Sequence, residues 1–317
     1  RNQVSFMLSA CNFYMPIFEE ALDAYNLPLE LRYLPIIESA LNPSAVSRAG
    51  ASGLWQFMLA TGKMYGLESN SLVDERRDPI KATWAAARYL KELYAIYGDW
   101  NLVIAAYNCG PGTINKAIRR ANGKTDYWEI YNFLPKETRG YVPAFIAANY
   151  VMTYYCDHNI CPMQTNIPAS TDTIQVNKKL HFEQIADICG VSLEQIKSLN
   201  PQYKKNVIPG DSKPYTLRLP QNYISTFIDQ QDTIYVHRAD ELFKNRKTIA
   251  IRDNTPPSAT RGKAVVGNGK LVYHKISSGE TLGSIAEKYK VRVKDIQNWN
   301  GLRNTKITAG KRLKIYK

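Results

Sequence analysis

The sequence predicts a multidomain fold, in which an all-α domain over residues 1–168 is followed by two small α+β modules. Each module is expected to run strand, helix, helix, strand (βααβ). Two observations support this prediction. The first 170 residues show helical periodicity and helix caps but no strand pattern. In the second half, residues 172–219 and 272–315 align with each other at an offset of 100, so one unit occurs twice.

The helices of the first domain are expected to follow one another with recognisable ends. They are predicted over residues 4–25, 29–41, 61–65, 79–98, 100–108, 113–122 and 135–155. Asp78 followed by Pro79 is typical of a helix start, because the carboxylate accepts first-turn N–H groups and proline fits the first helical position. Gly98 is an expected helix end, and Asn42-Pro43 should stop the helix over residues 29–41.

The two modules share apolar and turn positions and are joined by a connector. The matching pairs are Ile185 and Ile285, Val191 and Val291, Ile196 and Ile296, Asn200 and Asn300, and Gly210 and Gly310. The predicted boundaries are residues 172–220 for the first module, 221–270 for the connector and 271–317 for the second module. Residues 254–258, which read Asn-Thr-Pro-Pro-Ser, are expected to form a flexible joint.

Charge divides the chain at the same place. Residues 1–170 contain 15 basic and 15 acidic side chains, whereas residues 171–317 contain 26 and 13, so the whole net charge of +13 lies in the second half. This asymmetry favours an anionic partner such as nucleic acid, a membrane surface or an acidic cell-wall polymer, with plain solubility as the alternative. No nucleic-acid recognition motif accompanies the charge, so nucleic acid is not expected as a partner.

Composition also limits the cell compartment and the cofactors. No apolar run reaches the roughly 18 residues that a membrane span needs. The chain starts at Arg1 without a signal-like segment, which fits a cytoplasmic protein or a trimmed mature form. Five cysteines do not make a disulfide framework at this length, and Cys156 and Cys161 either close a small loop or remain free thiols. Because no second ligand pair accompanies them, no metal or cofactor is predicted.

Glu38 is the candidate catalytic residue. It shares a helical face with Leu34 and Leu41, so a helix that buries this face carries the carboxylate inward. No Lys or Arg lies within five positions of it. In the last turn of the helix it also meets the negative end of the helix dipole. Burial and dipole both raise the pKa of the carboxyl group, as a general acid near neutral pH requires. The alternative is a buried carboxylate that only accepts a backbone hydrogen bond.

The residues that follow Glu38 favour a ligand site. Ser39 is adjacent, and Gly50 and Gly53 lie in a turn that precedes Trp55-Gln56-Phe57-Met58. Glycine turns let the backbone approach a ligand, and aromatic, amide and thioether groups in sequence suit a sugar-binding wall. The 21 tyrosines also suit carbohydrate, because their rings stack on sugar faces.

Three sequence blocks and the repeated modules resemble a known family. The blocks are Glu38-Ser39-x-x-Asn42, Gly50-Ala51-x-Gly53-Leu54-Trp55-Gln56-Phe57-Met58 and Ala106-Tyr107-Asn108-x-Gly110. They resemble the signature of the soluble-lytic-transglycosylase-type domain of peptidoglycan-cleaving enzymes, which have a goose-lysozyme-like fold. The modules resemble LysM domains, which bind glycans that contain N-acetylglucosamine. The whole arrangement is similar to the membrane-bound lytic murein transglycosylase D group, and the resemblance covers nearly all of the chain outside the connector.

The sequence departs from the family pattern at three places. Leu59 stands where members often have proline, and Cys109 stands where many have alanine. The glycan loop of a LysM domain usually reads Gly-Asp/Glu-Thr-Leu. The second module has Gly279-Glu280-Thr281-Leu282, whereas the first has Lys179-Leu180-His181-Phe182, so glycan binding is expected of the second module and is open for the first.

The resemblance implies chemistry that needs only one protein carboxylate. Asp74, Glu75 and Asp78 lie beside Arg76 and Arg77 and are interpreted as a solvated or capping segment, not as a second acid. A substrate-assisted route then remains. Glu38 is expected to protonate the oxygen between N-acetylmuramic acid and N-acetylglucosamine and then to accept the C6 hydroxyl proton, which gives a 1,6-anhydro product. A lysozyme-like hydrolase and a non-catalytic wall-binding scaffold are the alternatives.

The resemblance also implies a set of binding residues. The substrate-binding candidates beside Glu38 are Ser39, Gln56, Phe57, Met58, Tyr107, Asn108 and Tyr141. Tyr107 is expected to orient Glu38 or to steady charge near the anomeric centre, while Tyr141 is expected to line the groove. Ser39 is expected to bond the carboxylate or the substrate, with a helix-end hydroxyl as the alternative. In the second module, the backbone of the loops over residues 279–282 and 306–309 is expected to bind glycan through Gly279, Glu280, Thr281, Leu282 and Ile307.

The expected partner is therefore the glycan strand of peptidoglycan. The resemblance further implies a monomer in the periplasm or cell envelope of a Gram-negative bacterium, associated with a membrane through a segment ahead of residue 1, as in an outer-membrane lipoprotein.

Overall fold

The computed structural model describes residues 1–164, 167–168, 170–243, 271–277, 279–300, 302, 307–308 and 310–316. The chain divides into two compact units, Arg1–Asp253 and Asn254–Lys317. The predicted joint over residues 254–258 lies outside the described residues. Within the described part, no helix is long and apolar enough to cross a bilayer.

The first domain is helical, as predicted. Its helices are α1 (Asn2–Ala24), α2 (Leu34–Ser39), α3 (Leu59–Met64), α4 (Pro79–Tyr97), α5 (Trp100–Cys109), α6 (Pro111–Arg120), α7 (Tyr127–Ile130) and α8 (Lys136–Thr153), with short 3₁₀ turns at Leu29–Tyr33, Glu75–Arg77 and Tyr131–Phe133. Asp78 caps α4 by accepting from the N–H groups of Ile80 and Lys81, and Gly98 ends the helix at a φ of +63°. The core lies among α1, α4, α5 and α8.

The helix that carries Glu38 is shorter than predicted. It begins at Leu34, after a separate 3₁₀ turn, and ends at Ser39. Ala40 and Leu41 both take left-handed backbone angles, with φ of 52° and 59°. Their N–H groups donate to the carbonyls of Ile36 and Pro35. These bonds end the helix ahead of the Asn42-Pro43 pair, which was expected to end it. Glu38 therefore lies in the last turn, next to two strained residues.

The first small module (module 1) has the predicted order with one addition. It consists of β1 (Thr171–Val176), β2 (Lys179–His181), α9 (Phe182–Cys189), α10 (Leu193–Leu199), β3 (Val207–Pro209) and β4 (Tyr215–Pro220), with a 3₁₀ turn at Lys204–Asn206. β1 pairs antiparallel with β4, and β2 pairs antiparallel with β3. The β2–β3 pair was not predicted.

The first part of the expected connector is helical, which corrects the prediction for residues 221–243. After a 3₁₀ turn at Gln221–Tyr223, the helices are α11 (Ile224–Asp229), α12 (Gln231–Val236) and α13 (Ala239–Leu242). Phe227 and Ile234 are fully buried against the core of module 1. Gln184 of α9 donates to the carbonyls of Tyr235 and His237, at 3.2 and 2.8 Å. Apolar residues therefore attach this segment to the module, and residues 244–270 lie outside the described part.

A loop of the helical domain inserts into module 1. We call residues 68–78 the docking loop. Leu72 and Val73 are fully buried in the core of the module, and Val73 forms an antiparallel bridge with Tyr203. The interpretation of this acidic and basic stretch as solvated was wrong for Asp74, Glu75 and Arg76, which are 2%, 5% and 8% exposed, because the docking loop packs between the helical domain and module 1. The other interpretation of this stretch, as a capping segment, is confirmed for Asp78.

The second small module (module 2) has the predicted strand, helix, helix, strand order. It consists of β5 (Leu271–Lys275), α14 (Leu282–Tyr289), α15 (Val293–Asn300) and β6 (Arg312–Tyr316). β5 and β6 pair antiparallel from Leu271 opposite Tyr316 to Lys275 opposite Arg312. Ile285, Ile296 and Ile315 are fully buried in its core.

Candidate active site

Glu38 lies where three parts of the helical domain meet. It is in the last turn of α2, whose Leu34 and Ile36 are buried, and it faces residues of α8 and α5. The residue is half-buried, so protein atoms shield its carboxyl group from most water while part of the side chain is open to a ligand. No Lys or Arg is a salt-bridge partner of Glu38 within the described residues.

Tyr141 of α8 is the direct partner of the carboxyl group. Its hydroxyl donates to Oε1 of Glu38. Burial raises the pKa of Glu38 to about 7, the hydrogen bond from Tyr141 opposes that shift, and the negative charge of Glu137 adds to it. The carboxyl group therefore keeps its proton close to neutral pH. Glu137 was missed by sequence reasoning, although its place one turn before Tyr141 on the same helix puts both on one face.

Tyr107 does not hydrogen-bond to Glu38, which corrects that part of the prediction. Its hydroxyl donates to the carbonyl of Trp55 at 2.8 Å. Burial raises the pKa of Tyr107 well above its ordinary value, with a further contribution from the charge of Glu38, so the two residues are close. Tyr107 thus connects α5 to the loop that contains Trp55, whereas Tyr141 contacts Glu38.

Residues 50–58, which we call the site loop, accept hydrogen bonds from two of the candidate residues, Ser39 and Tyr107. Ser39 contacts the site loop through its hydroxyl, which lies 2.9 Å from both the Leu54 and the Pro35 carbonyls. The Pro35 contact matches the helix-end alternative. Gln56 has a φ of 47°, and its Nε2 donates to Gly53 at 2.8 Å and to Ala45 at 3.3 Å. Both polar side chains therefore fix the backbone of the site loop.

Phe57 and Met58 differ in exposure. Phe57 is only 3% exposed and packs with Tyr65 and Tyr107, so its assignment to the substrate wall was wrong. Phe57 forms a β-bridge with Ser52 and Met58 has extended backbone angles, so their side chains point to opposite sides, Phe57 into the core and Met58 outward. Met58 is 39% exposed, as a group that contacts a ligand must be.

The Asn108 side chain is hydrogen-bonded to a residue of α8, the helix that also carries Tyr141. Thr138 of α8 donates its hydroxyl to the Asn108 amide oxygen at 2.8 Å. The Asn108 side chain is half-buried. Thr138 was not predicted, and the signal for it is weak, because an isolated threonine at a helix start is common.

The loop candidates in module 2 have mixed roles. Oε2 of Glu280 accepts from the Ser277 N–H at 2.7 Å and lies 2.9 Å from Nε2 of His274. Thr281 caps α14 through Ser284. Leu282 is buried, so its side chain belongs to the core and only its backbone faces the loop.

The other candidates of module 2 lie in or beside the same loops. Gly279 has a φ of +88°, which glycine adopts without strain. Ile307 packs partly against the module core. Of the second loop, residues 307 and 308 are described.

Metal and thiol chemistry have little support in the described residues. No group of three or more His, Cys, Asp or Glu side chains is placed to hold a metal ion among them. Cys156 and Cys161 are free, exposed thiols, which matches one of the two predicted alternatives.

The fold and the site together define a class: a lysozyme-like helical domain built around one carboxyl group of raised pKa, followed by small strand-helix-helix-strand modules. Comparison with known families agrees. Residues 15–130 match the transglycosylase SLT domain, residues 170–236 match the LysM-like domain of lytic transglycosylase MltD, and residues 274–315 match the LysM domain. The chain therefore contains an SLT domain and two LysM-type modules.

Two relatives and one solved structure are similar to parts of the chain. The chain is 32% identical over 294 residues to the membrane-bound lytic murein transglycosylase D of Escherichia coli (strain K12), covering 92% of this chain and 60% of that protein. It is 33% identical over 124 residues to the soluble lytic murein transglycosylase of the same strain, covering 37% of this chain and 19% of the relative. The crystal structure of the 70-kDa soluble lytic transglycosylase from Escherichia coli is 29% identical with a TM-score of 0.40, covering 45% of this chain and 24% of that one. The chain thus spans about three-fifths of the length of the transglycosylase D.

Proposed function

We propose that this chain cleaves peptidoglycan between N-acetylmuramic acid and N-acetylglucosamine without water and leaves a 1,6-anhydro end. The observation that carries the proposal is the half-buried Glu38 carboxyl group, whose pKa burial raises to about 7. In its protonated form it donates to the glycosidic oxygen as the bond to the anomeric carbon breaks. In its ionised form it accepts the proton of the C6 hydroxyl as that oxygen attacks the anomeric carbon. The substrate N-acetyl carbonyl shields the anomeric carbon between the two steps.

The neighbouring side chains support specific roles in this reaction. Tyr141 orients the carboxyl group through its hydrogen bond. Asn108, whose amide oxygen is occupied by Thr138, offers its amide nitrogen to the sugar. Gln56 offers its amide oxygen, since its nitrogen is bonded to the loop, and the exposed Met58 contacts the sugar face. Ser39 and Tyr107 fix the site loop.

Hydrolysis is the second candidate reaction, and Glu137 is the observation that favours it. Its negative charge raises the pKa of Glu38, so a second carboxylate lies in the neighbourhood of the acid, as the base of a hydrolase would have to. The two reactions give glycan ends that differ in mass by one water. If Glu137 is the base of a hydrolase, Glu137→Gln should abolish turnover, whereas the transglycosylase route should retain it within about tenfold.

The second LysM-type module supports attachment to the glycan strand. Its Gly279–Leu282 loop carries the family sequence, and the charge of the C-terminal half suits an anionic wall. We place the protein in the cell envelope of a Gram-negative bacterium, and we propose membrane association and a monomeric state. Cell fractionation and light scattering test these last two points.

The decisive experiment is digestion of purified sacculi followed by mass analysis of the released muropeptides. Wild type should release anhydro ends, and Glu38→Gln should release none while still sedimenting with sacculi. Reducing ends from the wild type would establish a hydrolase instead. Release by Glu38→Gln at the wild-type rate would refute the role of the acid, and no release by either protein would leave only a wall-binding scaffold.

A further inference from the structure

In module 1, the backbone segment that corresponds to the glycan loop of a LysM domain is paired with another strand. The segment Lys179–His181 corresponds to the glycan loop of module 2, and its backbone pairs with Val207–Pro209. Leu180 and His181 are fully buried. The helices α11–α13 add a further layer through Gln184. Because these backbone groups are bonded within the protein, they are not available to N-acetyl groups.

The docking loop connects this module to the helical domain through a buried charge network. Arg76 donates to both carboxylate oxygens of Asp74, from Nε at 2.9 Å and from Nη2 at 2.8 Å. Nζ of Lys204, from module 1, lies 3.6 Å from the same carboxylate. The Asp74 N–H donates to the carbonyl of Gln202 at 2.8 Å. Module 1 therefore contacts both the side chain and the backbone of Asp74.

Arg76 continues the network into the site loop. Its Nη1 donates to the carbonyls of Gly50 at 2.9 Å and Phe57 at 3.1 Å, which lie near the two ends of the site loop. Arg77 adds a bond from Nε to the Ser52 hydroxyl at 3.0 Å. The backbone of the two loops is also in close contact, since a Cβ added to Gly53 would lie only 1.8 Å from the Arg76 carbonyl oxygen. The docking loop and the site loop are therefore directly joined.

We infer that Asp74 and Arg76 are positioning residues, through which module 1 holds the site loop in its substrate-binding shape. This inference rests on the proposed function. The site loop carries Gln56 and Met58, whereas Glu38 and Tyr141 belong to helices that this network does not touch. Loss of the network should therefore weaken substrate binding more than it slows the chemical step.

The test uses the full chain and soluble, uncrosslinked glycan strands, with the release of anhydro ends as the readout. Asp74→Asn and Arg76→Lys should raise KM about tenfold while kcat changes less than about threefold and the alkaline limb of the pH profile stays in place. Lys204→Met should raise KM about threefold, and Lys204→Arg should restore it. Lys204 belongs to module 1, and its side chain is partly exposed. The Lys204→Met and Lys204→Arg variants therefore still test the inference if Asp74→Asn does not fold.

Lys213→Met is the matched control. It removes one positive charge from the same module and breaks an ion pair with Glu68 of the docking loop, at 2.8 Å, without reaching Arg76. KM should stay at the wild-type value. The inference is overturned if Asp74→Asn, Arg76→Lys and Lys204→Met leave KM unchanged in folded protein, or if they lower kcat and shift the pH profile instead. If the wild type releases no anhydro ends, the proposed function fails.

Discussion

The two sides of the candidate site are held in different ways. On the helical side, Glu38 and Tyr141 come from α2 and α8, and their orientation follows from core packing and one direct hydrogen bond. On the other side, the site loop lies outside the helices and strands, and its carbonyls are held by Ser39, Tyr107 and Arg76. The proposed proton donor is therefore fixed by packed helices, whereas the side chains proposed to contact the sugar lie on a loop that hydrogen bonds hold in place.

This division predicts that substitutions on the loop side lower stability at every pH or raise KM. Substitutions on the helical side should instead change kcat and the pH dependence of activity and of stability. A loop-side substitution that moved the pH profile would contradict this division.

Gly53→Ala should have the largest effect. Gly53 has a φ of +90°, and an added Cβ would meet the Arg76 carbonyl at 1.8 Å, so the docking loop would have to move. We expect a loss of about 3 kcal/mol or more of unfolding free energy, measured by chemical denaturation.

Gly50→Ala is the control for Gly53→Ala. Gly50 has a similar φ of +87°, but nothing lies within 4 Å of the position that an added Cβ would take, so only the backbone strain of about 1 kcal/mol should remain. Equal losses for the two variants would contradict the close contact between the docking loop and the site loop.

Glu38→Gln should stabilise the folded protein at high pH. The folded-state pKa of Glu38 is raised from 4.5 to about 7, so the carboxyl group contributes stability below pH 4.5 and loses it as pH rises through 7. Glutamine does not titrate. Relative to wild type, the variant should therefore gain about 2 kcal/mol between pH 4.5 and pH 8, a value reduced from the full shift because the side chain is half-buried.

Denaturation of both proteins across this pH range measures the difference. A gap that stays constant with pH would mean that Glu38 has an ordinary pKa in the folded protein, and the helical side would then lack its proton donor.

Tyr141→Phe should slow the reaction about tenfold and move its pH profile. The hydroxyl stabilises the ionised carboxylate, so its removal raises the pKa of Glu38 further and shifts the alkaline limb of kcat to higher pH. Rate measurements from pH 5 to 9 test this. An alkaline limb that moves to lower pH, or a variant with unchanged kcat, would remove Tyr141 from its place beside the acid.

The sequence predicted the architecture and the acid because both depend on local patterns. Helix periodicity and caps located the helices, and the apolar face around Glu38 indicated a raised pKa. The bonds between distant residues were not predictable in the same way. Tyr107 and Tyr141 are both tyrosines on amphipathic helices, and the choice between them depends on how α5 and α8 rotate against α2.

The docking loop illustrates the same limit. A run of acidic and basic residues is usually solvated. Here Asp74 is buried where it contacts Lys204 and Gln202 of module 1, and Arg76 is buried where it contacts the site loop. Likewise, Phe227 and Ile234 attach residues 221–243 to module 1, although the surrounding sequence is polar and typical of a connector.

Tyr107→Phe should have the smallest effect and is the direct counterpart of Tyr141→Phe on the loop side. It removes a hydroxyl of the same type as Tyr141→Phe, also close to Glu38, but this hydroxyl donates to the Trp55 carbonyl of the site loop. We expect KM to rise about two- to threefold through a looser site loop, while the alkaline limb of kcat stays where it is in wild type. The measurement is the pair of pH profiles recorded for the two tyrosine variants on the same glycan strands. If Tyr107→Phe shifts the alkaline limb as far as Tyr141→Phe does, both hydroxyls act on the acid and the helical and loop sides are one unit.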